Sequence, residues 1–370
     1  MKIIAFYLPQ FHAIKENDEW WGEGFTEWTN VRTAVPTYKG QYMPRVPLNN
    51  YYYSLLDVET LKWQAKLAKE YGIYGFAYYH YWFEEGMLLE KPAELMLRHP
   101  EVDMPFCFSW ANHTWKRNWA NKSDEILREQ TYGDEKEWRR HFDYLLPFFQ
   151  DERYIKVDGK PMMILYNPLH VKEFPAMMEC WQQWAKEAGL SGIFFLHQQN
   201  EFDHTKEPGG DLYDGGIEFQ MNRAVLEYTS KSLAFAAERV LNRVADKLPF
   251  LRCKATTMHY SYDTVWKIVL NEQPFGDTWY PGAFVDWDNT PRRKNRGQVC
   301  TDVTPEKFEY YLTKQIKRAR EVYKKDYLFM FAWNEWGESG YLEPDEKYGY
   351  KMLEAVRNSL NHNNEFPEWN

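Results

Sequence analysis

The chain has only four cysteines in 370 residues, Cys107, Cys180, Cys253 and Cys300. They are far apart and form neither a CxxC pair nor a zinc-type spacing, so no disulfide framework and no structural metal module is expected. Reduced, mostly buried thiols in a cytoplasmic protein are the plain reading. Positive charge is also short: 45 Lys and Arg face 54 Asp and Glu, a net charge of −9. That balance argues against a nucleic-acid partner, since phosphate binding needs a basic surface. No run of about 18 apolar residues exists, so no membrane span is expected. The N-terminus enters a strand-like run, Lys2 to Tyr7, with no basic region, apolar stretch and cleavage site. No signal peptide is therefore expected. Dinucleotide-binding, P-loop, H-E-x-x-H and G-x-S-x-G signatures are missing, as are internal repeats, low-complexity tracts and clear domain linkers.

Aromatic residues, by contrast, are abundant, with 17 Trp, 27 Tyr and 23 Phe. Many stand beside polar residues, as in Trp20-Trp21-Gly22-Glu23 and Trp110-Ala111-Asn112-His113-Thr114-Trp115. A purely apolar core would not favour that mixture. A sugar would: its C–H face stacks on rings while its hydroxyls need fixed donors and acceptors.

Eight short apolar runs recur along the chain, at Ile3–Leu8, Ile73–Tyr79, Pro105–Trp110, Pro161–Tyr166, Ile193–His197, Ile217–Phe219, Ala283–Trp287 and Leu328–Trp333. Near-continuous hydrophobicity marks parallel strands buried on both faces. Helical patterns alternate with them. Asp57 caps a run carrying Leu61, Ala65 and Ala68, and Gly72 closes it. Thr304-Pro305-Glu306 starts another helix, and Glu135–Phe149 and Glu173–Ala188 also read as helical. The pattern is α/β, and eight units favour a closed (β/α)8 TIM-type barrel with long βα loops. The expectation is one catalytic domain over residues 1–370, with insertions near 9–56 and 220–282 and a helix near Ser232–Lys247. Insertions of that length in a compact domain suit ordered lids or subsite walls.

Polar-aromatic clusters follow several strand ends, the face where this barrel type carries its chemistry. Strand one leads to Tyr7 and His12, and strand two to Tyr79-His80-Tyr81-Trp82. Strand three leads to Trp110 and Asn112, strand four to Tyr166, and strand seven to Asp286-Trp287-Asp288. Strand eight leads to Asn334-Glu335-Trp336-Gly337-Glu338. Glu335 and Glu338 are the sharpest pair. Two close carboxylates suit glycosidic chemistry, one protonating the leaving oxygen and the other assisting attack. Gly337 and Gly340 are expected to let the backbone turn sharply between them. Asp286-Trp287-Asp288 matches a D-x-D metal pattern in form, but a sugar-binding Asp288 beside a stacking Trp287 is the better reading. No metal or organic cofactor is expected. The basic run Arg292-Arg293-Lys294-Asn295-Arg296 reads as a solvated loop, with contact to an anionic glycan or diphosphate as the alternative.

The segments Phe6-Tyr7-Leu8-Pro9-Gln10-Phe11-His12, Gly24-Phe25-Thr26-Glu27-Trp28, Tyr79-His80-Tyr81-Trp82-Phe83, Trp287-Asp288-Asn289-Thr290 and Asn334-Glu335-Trp336-Gly337-Glu338 together resemble the WbsX-type family. That family is labelled as glycosyltransferases of O-antigen or polysaccharide clusters and is related to the endo-α-mannosidases of glycoside hydrolase family 99. The resemblance runs from Lys2 to about Ala355. It implies a cofactor-free barrel in which Glu335 deprotonates the sugar 2-hydroxyl, giving a 1,2-anhydro sugar. Glu338 protonates the leaving group and then activates water. Position 337 is glycine here, where family 99 enzymes commonly carry a bulkier residue. Trp20, Glu27, Trp28, His80, Trp82, Trp110, Asn112, Tyr166, Trp287, Asp288, Asn334 and Trp336 join Tyr7 and His12 as expected substrate-binding residues. Three functions are weighed: a retaining hydrolase of an α-linked oligo- or polysaccharide, a transferase of surface polysaccharide assembly, and a non-catalytic glycan-binding module.

Overall fold

The computed structural model describes residues 1–117, 125–167, 171–199, 212–221, 223–225 and 257–369. Eight parallel strands form the centre. They are β1 (Lys2–Tyr7), β2 (Ile73–Phe83), β3 (Phe106–Trp110), β4 (Lys160–Leu165), β5 (Phe194–Gln198), β6 (Gly215–Ile217), β7 (Trp279–Tyr280 and Gly282–Phe284) and β8 (Tyr327–Phe331). Each pairs with its neighbour in chain order, and β8 pairs with β1. Proline splits β7, because Pro281 has no N–H to give to a ladder. The residues before it pair with β6 and those after it with β8, which closes the ring. The Pro281 carbonyl still accepts from the Phe329 N–H at 3.0 Å.

Helices cover the outside: α1 (Val58–Glu70), α2 (Lys91–Arg98), α3 (Glu135–Gln150), α4 (Phe174–Glu187), α5 (Tyr262–Asn271), α6 (Pro305–Glu321) and α7 (Lys351–His362). Their starts follow local chemistry. The Asp57 carboxylate accepts from the Glu59 N–H at 3.0 Å, and the Thr304 hydroxyl accepts from the Lys307 N–H at 3.3 Å, ahead of Pro305. The eight expected strands are all present. The seventh lies a few residues earlier than expected, so Trp287 stands in the loop beyond it. The expected helix near Ser232–Lys247 lies outside the described residues.

Inside the ring, Phe6 meets Phe219 at 5.6 Å and Phe329 at 6.2 Å, and Phe219 meets Phe331 at 5.3 Å. These aromatic rings fill the barrel below the strand ends, each pair adding about 0.5–1.5 kcal/mol beyond its burial. The 9–56 insertion is ordered and carries two short helices, Lys15–Trp21 and Glu27–Arg32. It is anchored to the far loops. The Arg45 guanidinium pairs with Asp286 at 2.7 Å, and Gln41 donates to Asp288 at 2.7 Å.

Candidate active site

A cavity of about 450 Å³ opens at the C-terminal ends of the strands. Its rings come from Trp21 and Phe25 of the first insertion, Tyr79 and Tyr81 of β2, Trp115, Tyr166 and Trp287. Its polar wall is Gln10, His113, Asn289, Arg292, Glu335 and Glu338. That volume and that mix of apolar walls with a few polar groups suit a small organic ligand.

Strand alternation sorts the residues of β2. Tyr79 and Tyr81 enter the cavity, with the Tyr81 hydroxyl accepting from Gln10 at 3.2 Å. His80 and Trp82 point the other way, into the layer between the barrel and α3. There His80 Nε2 lies 2.8 Å from His141 Nε2, and Trp82 stacks on His141 at 4.2 Å and donates to Glu137 at 2.9 Å. Trp110 belongs to the same layer; its Nε1–H donates to the Trp82 carbonyl at 3.2 Å. Burial holds His80 and His141 well below the usual histidine range, so this is a neutral packed cluster.

Several other expected ligands of the sugar do structural work instead. Tyr7 leaves β1 on its outer side, and its hydroxyl donates to Gln64 of α1 at 2.7 Å. Asn334 clamps the ends of β8 and β1: its Oδ1 accepts from Leu8 N–H at 2.7 Å and its Nδ2 donates to Leu8 O at 3.0 Å. Asn112 holds Asn167 through both backbone groups, at 2.7 and 2.6 Å. Asp288 accepts from Gln41 and from the Thr290 hydroxyl at 2.6 Å, and it does not line the cavity. Trp336 is fully buried, stacks on Tyr341 at 3.7 Å and donates to Glu343 at 2.7 Å. Trp28 donates to the Tyr53 carbonyl at 2.8 Å and, with His12, lines a separate cavity of about 420 Å³. Trp20 sits behind the wall, 6.0 Å from Trp115, while its neighbour Trp21 is the one that faces the cavity. Of the expected set, Tyr166, Trp287, Glu335 and Glu338 line it directly.

The centre of the site is a residue of the basic run expected to be a solvated loop. Arg292 lies in the short helix Thr290–Arg293 and its side chain is 10 % exposed. Its NH2 meets Glu335 Oε1 at 2.8 Å, its NH1 meets Glu338 Oε1 at 3.1 Å, and its Nε meets Glu27 Oε1 at 2.8 Å. Hydrophilicity alone made the run look exposed. The available signal was Thr290-Pro291 just before it, a helix start that fixes the arginine beside a strand end. Burial would favour a neutral Arg292, but Glu27, Glu335 and Glu338 together outweigh it and hold the guanidinium charged. For Glu335 the balance runs the other way: burial pushes its carboxyl well above the usual range, Arg292 opposes, and Glu338 and Glu27 add to the rise. Burial likewise raises the Tyr166 phenol to about 12, with Glu338 and Glu335 contributing.

The two glycines of the last loop are there for space rather than for a left-handed turn. It is Ser339 that takes φ 60°. A Cβ on Gly337 would lie 2.0 Å from Glu27 Oε1, and one on Gly340 would lie 2.4 Å from the Phe331 ring.

Residues 3–356 match the family profile described as Glycosyltransferase WbsX. The uncharacterized protein WxcX of Xanthomonas campestris pv. campestris, in two strains, is 31% identical over 365 residues, covering 97% of this chain and 49% of WxcX. The chain thus spans about half the length of the curated relatives it matches. Among solved structures, the GH99 endo-α-mannosidase of Bacteroides thetaiotaomicron bound to bis-tris-propane superposes with a TM-score of 0.52 at 14% identity, over 98% of this chain and 96% of that one. A glycoside hydrolase-like protein superposes with a TM-score of 0.56 at 12% identity, over 100% and 94%. At those identities the shared property is the fold. Matched along nearly its whole length, the chain belongs to the WbsX family.

Proposed function

We propose that the protein is a retaining glycoside hydrolase acting on an α-linked glycan, with Glu335 and Glu338 as its reacting groups. The observation that carries this reading is the pair of carboxylates sharing one guanidinium at the end of β8, inside an aromatic-walled cavity. Glu335 takes the proton of the sugar 2-hydroxyl. The freed oxygen attacks C1 while the C1–O bond to the leaving group breaks, and Glu338 delivers a proton to that oxygen. Water, giving a proton to Glu338, then attacks C1 of the 1,2-anhydro sugar from the opposite face while the C1–O2 bond breaks and Glu335 returns its proton to O2, so the anomeric configuration is retained. Burial holds the Glu335 carboxyl well above the usual carboxylate range, and once ionised such a group is the stronger base.

The test is turnover of an α-linked oligosaccharide library and of α-glycosyl fluorides. Fluoride leaves without a proton, so it separates the two acids. Glu335→Gln is expected to lose on the order of 10³-fold or more on both substrate types. Glu338→Gln is expected to lose as much on oligosaccharides and far less in kcat/KM on fluorides, whose kcat is then limited by opening of the 1,2-anhydro sugar. Near wild-type rates in both variants would sink the proposal. The second reading is glycosyl transfer, favoured by the family's name and by Lys116 and Arg293, which line the same cavity. Calorimetry with nucleotide sugars decides between them, since a hydrolase ignores the nucleotide.

A further inference from the structure

Glu27 does not line the cavity. It lies behind the wall at the start of the short helix Glu27–Arg32, 0 % exposed, with its Oε1 on Arg292 Nε at 2.8 Å. A guanidinium is planar and its N–H groups point in fixed directions. Gripping Nε therefore limits the directions in which the two terminal nitrogens can aim. In this chain they aim at Glu335 and Glu338, 2.8 and 3.1 Å away. Between those two acids in sequence stands Gly337. The side chain it lacks would lie 2.0 Å from Glu27 Oε1 and 2.8 Å from Arg292 Nε. Real Cβ atoms essentially never come that close, so a side chain at 337 would have to push the buried, paired ends of Glu27 and Arg292 out of their places.

We infer that Glu27 is a positioning residue of the reaction, that it holds Arg292 in the fork between Glu335 and Glu338, and that residue 337 is glycine because the Glu27–Arg292 contact occupies the place of a side chain. Nothing in the lining of the cavity reveals this role, since Glu27 acts through the arginine.

The arrangement has an electrostatic consequence. One cation serves three carboxylates. Other titratable groups lining the cavity around Glu335 are Tyr79 and Tyr81 from β2, Tyr166 from beyond β4, His113, Lys116 and Arg293, with the phenols and His113 held neutral by burial. Removing the charge of Glu27 leaves Arg292 to two acids and removes one repulsion on Glu335. Glu335 then ionises at lower pH.

The inference rests on Glu335 and Glu338 being the reacting acids, but its test needs no substrate. In the full chain labelled with ¹³C at the glutamate carboxyls, the Glu335 signal is assigned by its loss in Glu335→Gln and followed through a pH titration. Glu27→Gln is expected to lower the Glu335 midpoint by about one pH unit or more, while the charge-keeping Glu27→Asp stays within about half a unit of wild type. Gly337→Ala is expected to shift the midpoint in the wild-type background and to add much less in Glu27→Ala, where the 2.0 Å contact is gone and Arg292 is no longer gripped at Nε. If Glu27→Gln does not fold, Arg292→Lys carries the test. A lysine cannot hold three carboxylates in one plane, so the midpoint must move. An unchanged midpoint in folded Glu27→Gln or Arg292→Lys, or an equal Gly337→Ala effect in both backgrounds, overturns the inference. The hydrolase reading fails separately, by absent turnover in the wild type. Where the wild type does turn over a glycan, Glu27→Gln is expected to lower kcat more than it raises KM. It should also move the limb of the pH–rate profile in step with the carboxyl midpoint.

Discussion

Tyr81 and Trp82 are neighbours on β2, yet they belong to different parts of the molecule. Tyr81 enters the cavity that holds Glu335 and Glu338. Trp82 enters a sealed layer with His80, Trp110, His141 and Trp181. Both regions mix rings with hydrogen-bonding groups, and on paper either would serve as a sugar site. They differ in charge. At the cavity one guanidinium gathers three carboxylates, two lining it and Glu27 behind the wall, and burial and repulsion leave acid–base chemistry poised. The layer contains two neutral imidazoles at its core, with its charged groups, Glu137 and Arg140, at its edge. Polar-aromatic composition therefore marks both packing and function, and uncompensated charge tells them apart.

The comparison breaks most visibly at these two neighbours. Trp82→Ala removes a ring that stacks on His141 and lies under Arg140 at 5.1 Å. It is expected to cost about 3–5 kcal/mol in denaturant unfolding, as for other buried large-to-small changes. Glycan turnover per folded molecule should persist below the lowered melting temperature. Tyr81→Phe removes one hydroxyl and its 3.2 Å bond to Gln10. Its stability cost is expected to stay within about 1 kcal/mol, with the loss appearing in KM or kcat instead. The reverse pattern, a stable Trp82→Ala without activity, would place the sugar in the wrong layer.

This sorting was only partly legible in the sequence. The eight strands were, because a run such as Ile73-Tyr74-Gly75-Phe76-Ala77-Tyr78 is apolar on both faces. The same property hides the inward phase, since both faces of β2 carry aromatics and alternation has no contrast to show. Glu335 and Glu338 were legible from their place after the last strand. Arg292 was not, because its partner Glu27 is far away in sequence and a basic run looks solvated until the fold brings a carboxylate to it. Asp288 was misplaced, and the ion pair of Asp286 beside it missed, for a related reason. Their partners Arg45 and Gln41 come from the long first insertion, whose path no local pattern fixes.

A second comparison lies within the last loop. Glu335 and Glu343 are both buried, but Arg292 contacts only Glu335. Glu343 is held by neutral donors: Tyr53 at 2.8 Å, Gln64 at 2.7 Å and Trp336 at 2.7 Å. Burial lifts its carboxyl from the ordinary 4.5 to about 7, with these bonds opposing. A raised carboxyl stabilises the fold fully below its unfolded value and loses that contribution as pH rises through the folded one. Between pH 4.5 and 7 the loss attributable to Glu343 is about 3 kcal/mol, at roughly 1.4 kcal/mol per unit. Glu343→Gln should flatten that part of the stability curve whatever its effect on absolute stability. Two curves of equal slope would show that Glu343 titrates as an ordinary carboxylate.

The smallest effect tests the sealed layer from the acid side. His80 and His141 are neutral in the fold, and burial depresses both; for His80 the value falls to about 3. Here the sign is opposite to that of Glu343. Their contribution is complete above the unfolded histidine value near 6.5 and is lost as pH falls toward the folded one. Each histidine then costs about 1 kcal/mol over the first unit below 6.5. His80→Gln keeps a hydrogen-bonding group toward His141 and removes one titration. The unfolding free energy of that variant, compared with wild type at pH 6.5 and 5.5, should fall by about 1 kcal/mol less. An unchanged difference would mean that water reaches the layer and that His80 can charge without unfolding. Histidine in that layer would then share the solvation of the cavity, and charge alone would no longer separate the two regions.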